Sequence, residues 1–141
     1  MRLRIISSKE EIGKVDPAEE LVHLTFRPSN TDVVALIKAC PNLVVVHIPS
    51  SYKKTMSKSA TMFLSANNIK LLAGDLRGHR KDVDQYYTVS DAIISEILDH
   101  QKNGLRRDEI VRKAGRNSRL SPDLINHIVD INSERLNIQE S

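Results

Sequence analysis

Apolar residues in the first half of the chain fall into short β-branched runs, separated by stretches with helical spacing. The runs are Arg2–Ser7 (RLRIIS), Leu21–Phe26 (LVHLTF), Leu43–Ile48 (LVVVHI) and Ile69–Gly74 (IKLLAG). Each has the length and composition that predict a strand. The third is apolar at nearly every position, the pattern of a parallel strand covered on both faces. Between the runs, Ser8–Val15, Asn30–Ala39 and Ser57–Ala66 predict helices. Ser8-Lys9-Glu10-Glu11 has capping-box spacing, and Ser29 or Asn30 can cap the second helix, where Val33, Val34, Leu36 and Ile37 form one face. Cys40-Pro41-Asn42 ends that helix, because a residue before proline is pushed out of the helical region. Alternating strands and helices predict parallel pairing through right-handed crossovers.

A faint repeat overlies this pattern. Leu43 follows Leu21 by 22 residues, and Ile69 follows Leu43 by 26. The segment VALIKACPNLVVVHIP resembles one leucine-rich-repeat unit, in which Cys40 and Asn42 would fill the approach to the strand. From Thr88 onward the pattern is helical only. Ser90 can cap a helix to about Gln101, with Ile93, Ile94, Ile97 and Leu98 in one stripe and Gly104 as its stop. A second helix covers roughly Arg107–Lys113 and stops at Gly115. A third starts at Ser121-Pro122, with Leu124, Ile125, Ile128, Val129 and Ile131 as its stripe. The expected fold is therefore α/β: a small, mainly parallel four-stranded sheet of leucine-rich-repeat-like βα units, then a three-helix, helix-turn-helix-like tail. The expected division is 1–76 for the sheet, 77–89 for a basic joint and 90–141 for the helices.

Composition narrows the classes of function. With 141 residues, 40% hydrophobic and 28% charged, the chain is an ordinary globular protein with an adequate core. Aromatics make up only 4% and tryptophan is absent, which disfavours a base-stacking sheet. The single cysteine, Cys40, excludes an internal disulfide, and no Cys/His cluster has zinc-ligand spacing. No apolar run approaches a membrane span, and no secretory h-region is present, so the expectation is a cytoplasmic protein without a membrane partner. No phosphate-binding Walker loop, GxGxxG, GxSxG or HExxH occurs. No catalytic residues, metal ligands or cofactor are therefore assigned.

The net charge of +3 hides its distribution. Residues 50–89 hold seven basic and three acidic side chains; Lys102 to Arg119 holds seven basic against Asp108 and Glu109. The first concentration follows the carboxyl ends of the proposed strands, the edge where open α/β sheets bind ligands. Arg27, Ser50, Ser51, Tyr52, Lys53, Lys54, Arg77, His79, Arg80 and Lys81 are the candidates there for a phosphorylated small molecule or other oxyanion. The bland alternative is that loops are polar because they are solvated. His79 has no partner indicated by spacing, Tyr86 and Tyr87 can anchor a linker, and His23 and His47 fit satisfied core or surface positions better than metal ligation.

The second concentration lies in LRRDEIVRKAGRNSRLSPDLINHIVDIN, which reads as helix, turn, helix. Small Ala114 lets the helices approach, and Gly115 opens the turn. Arg106, Arg107, Arg112, Lys113, Arg116 and Arg119 are candidate phosphate contacts on double-stranded DNA, with Asn126 and His127 as candidate base contacts. The interval Arg116–Ser121 is long for such a turn, and Asp123 and Asp130 would repel phosphate. A helical packing module with a solvated basic face is the alternative.

The segments SSKEEI, VHLTFRPSN, ACPNLVVVHIPSSYKKTMSKS and GHRKDVDQYY together resemble a small family of unknown function from methanogenic archaea. The resemblance implies an archaeal cytoplasmic protein and carries over no catalytic residues. The leading expectation is a non-enzymatic binding protein, a DNA-binding regulator. A phosphometabolite-binding and even catalytic protein using the sheet edge, and a protein–protein adaptor, are the alternatives. Oligomeric state stays open.

Overall fold

The four apolar runs form strands, trimmed by a residue or two, in a computed structural model that describes residues 1–76 and 85–140, with side chains through Arg135. They are β1 (Arg2–Ile6), β2 (Leu21–Leu24), β3 (Val45–Ile48) and β4 (Lys70–Ala73). All four pair in parallel, β1 with β2, β2 with β3 and β3 with β4. A fifth strand, β5 (Tyr86–Thr88), completes the sheet order β4-β3-β2-β1-β5. It runs antiparallel to β1, setting Tyr86 opposite Arg4 and Thr88 opposite Arg2. The expected four-stranded sheet thus has five strands, and part of the expected joint is an edge strand.

Because the parallel strands lie in sequence order, right-handed crossovers place every connection on one face. The core agrees: Ile6, Val22, Leu24, Val46 and Ile48 of the sheet cluster with Ile12, Val33, Leu36, Ala60 and Leu64 of the connections. Those connections are a 3₁₀ segment (Lys9–Lys14), α1 (Asn30–Ala39), and α2 (Ser50–Lys54) followed by α3 (Lys58–Ala66). The other face also carries buried residues: Leu3, Ile5, His23, Val45 and His47.

Capping explains most of the boundaries. Ser29 and Asp32 form a reciprocal capping box on α1, with the Ser29 amide donating to Asp32 Oδ2 at 2.9 Å and the Asp32 amide to Ser29 Oγ at 3.2 Å. Ser57 accepts from the Ala60 amide at the start of α3. The box expected at Ser8 does not form. Ser8 makes no side-chain cap, and the Glu11 carboxylate accepts from the Ser7 amide instead. Cys40 is buried after α1 as expected, whereas Asn42 is exposed and fills nothing.

The second compact unit holds the three helices from Val89 onward, which pack against one another. They are α4 (Asp91–Lys102), α5 (Arg107–Asn117) and α6 (Pro122–Glu140). Ser90 caps α4, which ends at Gly104 with φ +79° and the Leu105 amide bonded back to the His100 carbonyl. That is the left-handed stop glycine permits. Gly115 does not open a turn: α5 runs through it to Asn117, and Ser118, Arg119, Leu120 and Ser121 form the connection to α6. Ser121 Oγ accepts from the Leu124 amide at 3.2 Å, capping α6. Among the described residues, no helix is long and apolar enough to cross a membrane.

Candidate functional site

Helix α5 divides its residues by face. Ile110 and Ala114 are buried, while Arg112, Lys113 and Arg116 are exposed, as is Arg119 in the connection that follows. Residues four apart share a helix face, so Arg112 and Arg116 align, with Lys113 beside them. Arg116 lies in the last turn, where the helix macrodipole favours a cation, whereas Arg112 and Arg116 repel each other across one turn. Among the described residues, none of these four cations enters an ion pair.

The other expected phosphate contacts differ. Arg106 bonds Glu109 at 3.1 Å and Asp108 at 3.4 Å. Arg107 pairs with Asp130 at 2.8 Å and donates to the carbonyl and side-chain oxygens of Asn126 at 3.4 and 3.5 Å. Exposed pairs of this kind add little stability, yet they cancel charge locally. His127 is only 4% exposed, so its ring does not reach a base edge from this position, and the side-chain oxygen of Asn126 is held by Arg107. The expected site therefore contracts to Arg112, Lys113, Arg116 and Arg119.

At the carboxyl edge of the sheet, Arg27 is exposed and its guanidinium lies 5.5 Å from the Tyr52 ring centroid, a cation–π contact. Ser50, Ser51, Lys53 and Lys54 are exposed on α2, and Tyr52 packs partly against the core. Ser57 Oγ donates to Asn30 Oδ1 at 2.5 Å, joining the N-termini of α1 and α3. Arg77, His79, Arg80 and Lys81 lie outside the described residues. Sequential strand order leaves no reversal among the parallel strands, and that reversal is what opens a ligand crevice in doubly wound sheets.

Two polar arrangements lie inside the sheet unit. His23 and His47 face each other in register on β2 and β3, 2% and 0% exposed, with Nδ1 to Nδ1 at 2.7 Å. This bond needs one protonated and one bare Nδ1, so the two rings form a donor–acceptor pair. They are satisfied core histidines; among the described residues, no group of three or more potential ligands could hold a metal ion. The signal was present as Val22-His23-Leu24 and Val46-His47-Ile48, the same pattern in adjacent strands. The second arrangement was missed because its members are far apart in sequence. Tyr86 Oη donates to the buried Glu19 carboxylate, and the Arg2 guanidinium lies 4.0 Å from the Tyr86 ring centroid. The Glu19 bond, then burial, pushes the Tyr86 phenol above its usual range. Burial, reinforced by Glu19 and Asp16, likewise raises the Cys40 thiol. A buried thiol held protonated is not an activated nucleophile.

These features define an α/β protein with a mostly parallel, sequentially ordered sheet and a helical unit that carries a local cluster of exposed cations on and just after α5. The chain belongs to a family of unknown function (DUF1699), whose N-terminal domain matches residues 2–85. The matched segment takes in all four parallel strands and ends before α4. No curated protein and no solved structure matches the chain.

Proposed function

We propose that the protein is a non-enzymatic binding protein that docks on double-stranded DNA through its helical unit, with α5 and α6 acting as a helix-turn-helix-like module. The observation that carries this reading is the set of exposed cations Arg112, Lys113, Arg116 and Arg119, none ion-paired among the described residues. A polyanion supplies what such a set lacks, and each phosphate neutralised releases condensed counterions. The connection Ser118–Ser121 supports the module reading, since helix-turn-helix units join their helices through turns of about three or four residues. In this reading the protein works in the cytoplasm of an archaeal cell, the setting implied by the family resemblance.

Fluorescence anisotropy of a labelled duplex, titrated with the full chain at low salt, tests the reading. Saturable binding that weakens steeply with added salt is expected; no binding at low salt would contradict it. The oxyanion reading of the sheet edge draws on Arg27, Ser50, Ser51, Tyr52, Lys53 and Lys54. It is the weaker of the two, because sequential strand order provides no crevice.

A further inference from the structure

Resting on the DNA-binding reading, we infer that the helical unit holds duplex DNA by its phosphates without reading base sequence, and that α5, not α6, lies against the backbone. Base readout needs side chains that present hydrogen-bond groups to a groove edge, usually from the N-terminal part of the second helix of such a module. Helix α6 has little to present. From Pro122 to Asp130, Leu124, Ile125, His127, Ile128 and Val129 are buried. The remainder are Pro122, Asp123, Asn126 and Asp130, and no cation is among them. Arg107 engages both Asn126 and Asp130. Asp123 sets a carboxylate where a reading helix would enter, and the Arg107–Asp130 pair leaves no net positive charge beside it.

Helix α5 is the opposite case. Its exposed cations suit phosphate oxygens, and its one amide side chain, Asn117, donates to Glu96 Oε1 at 2.7 Å. Reading guanine requires a guanidinium held in the plane of the base pair, bidentate to one base. Among the described residues, no hydrogen bond or ion pair fixes Arg112, Arg116 or Arg119 in one orientation. Long cations held by no neighbour meet phosphates from many registers. The result is attachment governed by salt and indifferent to sequence.

The test compares the full chain on duplexes of equal length, from A·T-only to G·C-rich, with duplex RNA as a further arm and selection from a randomised DNA pool alongside. Expected are dissociation constants within about threefold across the DNA set and no enriched motif, against the ~10³-fold or greater ratios of sequence-specific proteins. Arg112→Ala should weaken every duplex by the same factor, whereas a base-reading arginine would relax one position only. An enriched motif bound about a hundredfold more tightly would overturn this inference and leave the DNA reading standing. Absence of binding to every duplex, or tighter binding to RNA than to DNA, would overturn the DNA reading and this inference with it.

Discussion

Gly115 lies inside α5, and a Cβ built there would meet only Ile125 Cδ1, at an ordinary 3.9 Å. Glycine in a helix interior costs about 0.5–1 kcal/mol relative to alanine. Gly115→Ala is therefore expected to raise stability by about that amount, read as a higher denaturant midpoint with an unchanged slope. Gly104 is the control: at φ +79° an alanine is strained and should cost about 1 kcal/mol. Equal effects at the two glycines would contradict the helix boundaries described. Tyr86 yields a pH prediction. Its folded pKa lies above the ordinary value of 10.0 because the neutral phenol donates to Glu19. The bond therefore contributes fully below about pH 10 and is lost as pH rises through the folded value, where the native state holds the extra proton. Between pH 9 and 11 the melting temperature of the wild type should fall more than that of Tyr86→Phe; parallel curves would remove Glu19–Tyr86 from the account. At this scale the caps Ser29 and Ser90 were legible, because a cap is a local arrangement of hydroxyl and amide, whereas the cap at Ser57 was not read. Gly115 was not legible, since a glycine ends a helix only where the chain takes positive φ.

Strands and helices were legible wherever apolar spacing was regular, and their order alone implied parallel pairing. β5 was hidden because Tyr86–Thr88 is short and its pairing with β1 spans more than eighty residues of sequence. Composition did favour it, as aromatic and β-branched residues suit an edge strand. The pairing of β2 with β3 carries the His23–His47 bond, which links the two strands through buried side chains. Replacing one histidine removes a hydrogen-bond partner from a buried group, at a cost of roughly 1–3 kcal/mol. His23→Leu and His47→Leu should each destabilise by about that much, and the double variant by less than the sum, in a urea-unfolding cycle. Strict additivity would show that the two rings do not act as a pair. Neither ring's partner could be read from either strand alone; only the shared register sets them face to face.

For the whole molecule, the two concentrations of positive charge seen in the sequence have different standing. The one after the strands is represented by Arg27, Lys53 and Lys54 on a sheet whose parallel strands show no switch point, with its cations at 77–81 outside the described residues. The other narrows to Arg112, Lys113 and Arg116 on α5 and Arg119 just after it. Basic residues were countable in the sequence, but pairing was not. Arg106 and Arg107 looked equivalent to Arg112 and Arg116 until Glu109 and Asp130 were found against them. The family match covers the four parallel strands and reaches no cation of the helical unit, so the proposed function stands on the helical unit. The most direct measurement of it is duplex binding by the wild type and the Arg112→Ala/Arg116→Ala double variant across one salt series. With four cations engaged, log affinity against log salt should fall with a slope of about −3.6 for the wild type and about −1.8 for the variant. Identical slopes and affinities for the two proteins would contradict the claim that α5 holds DNA.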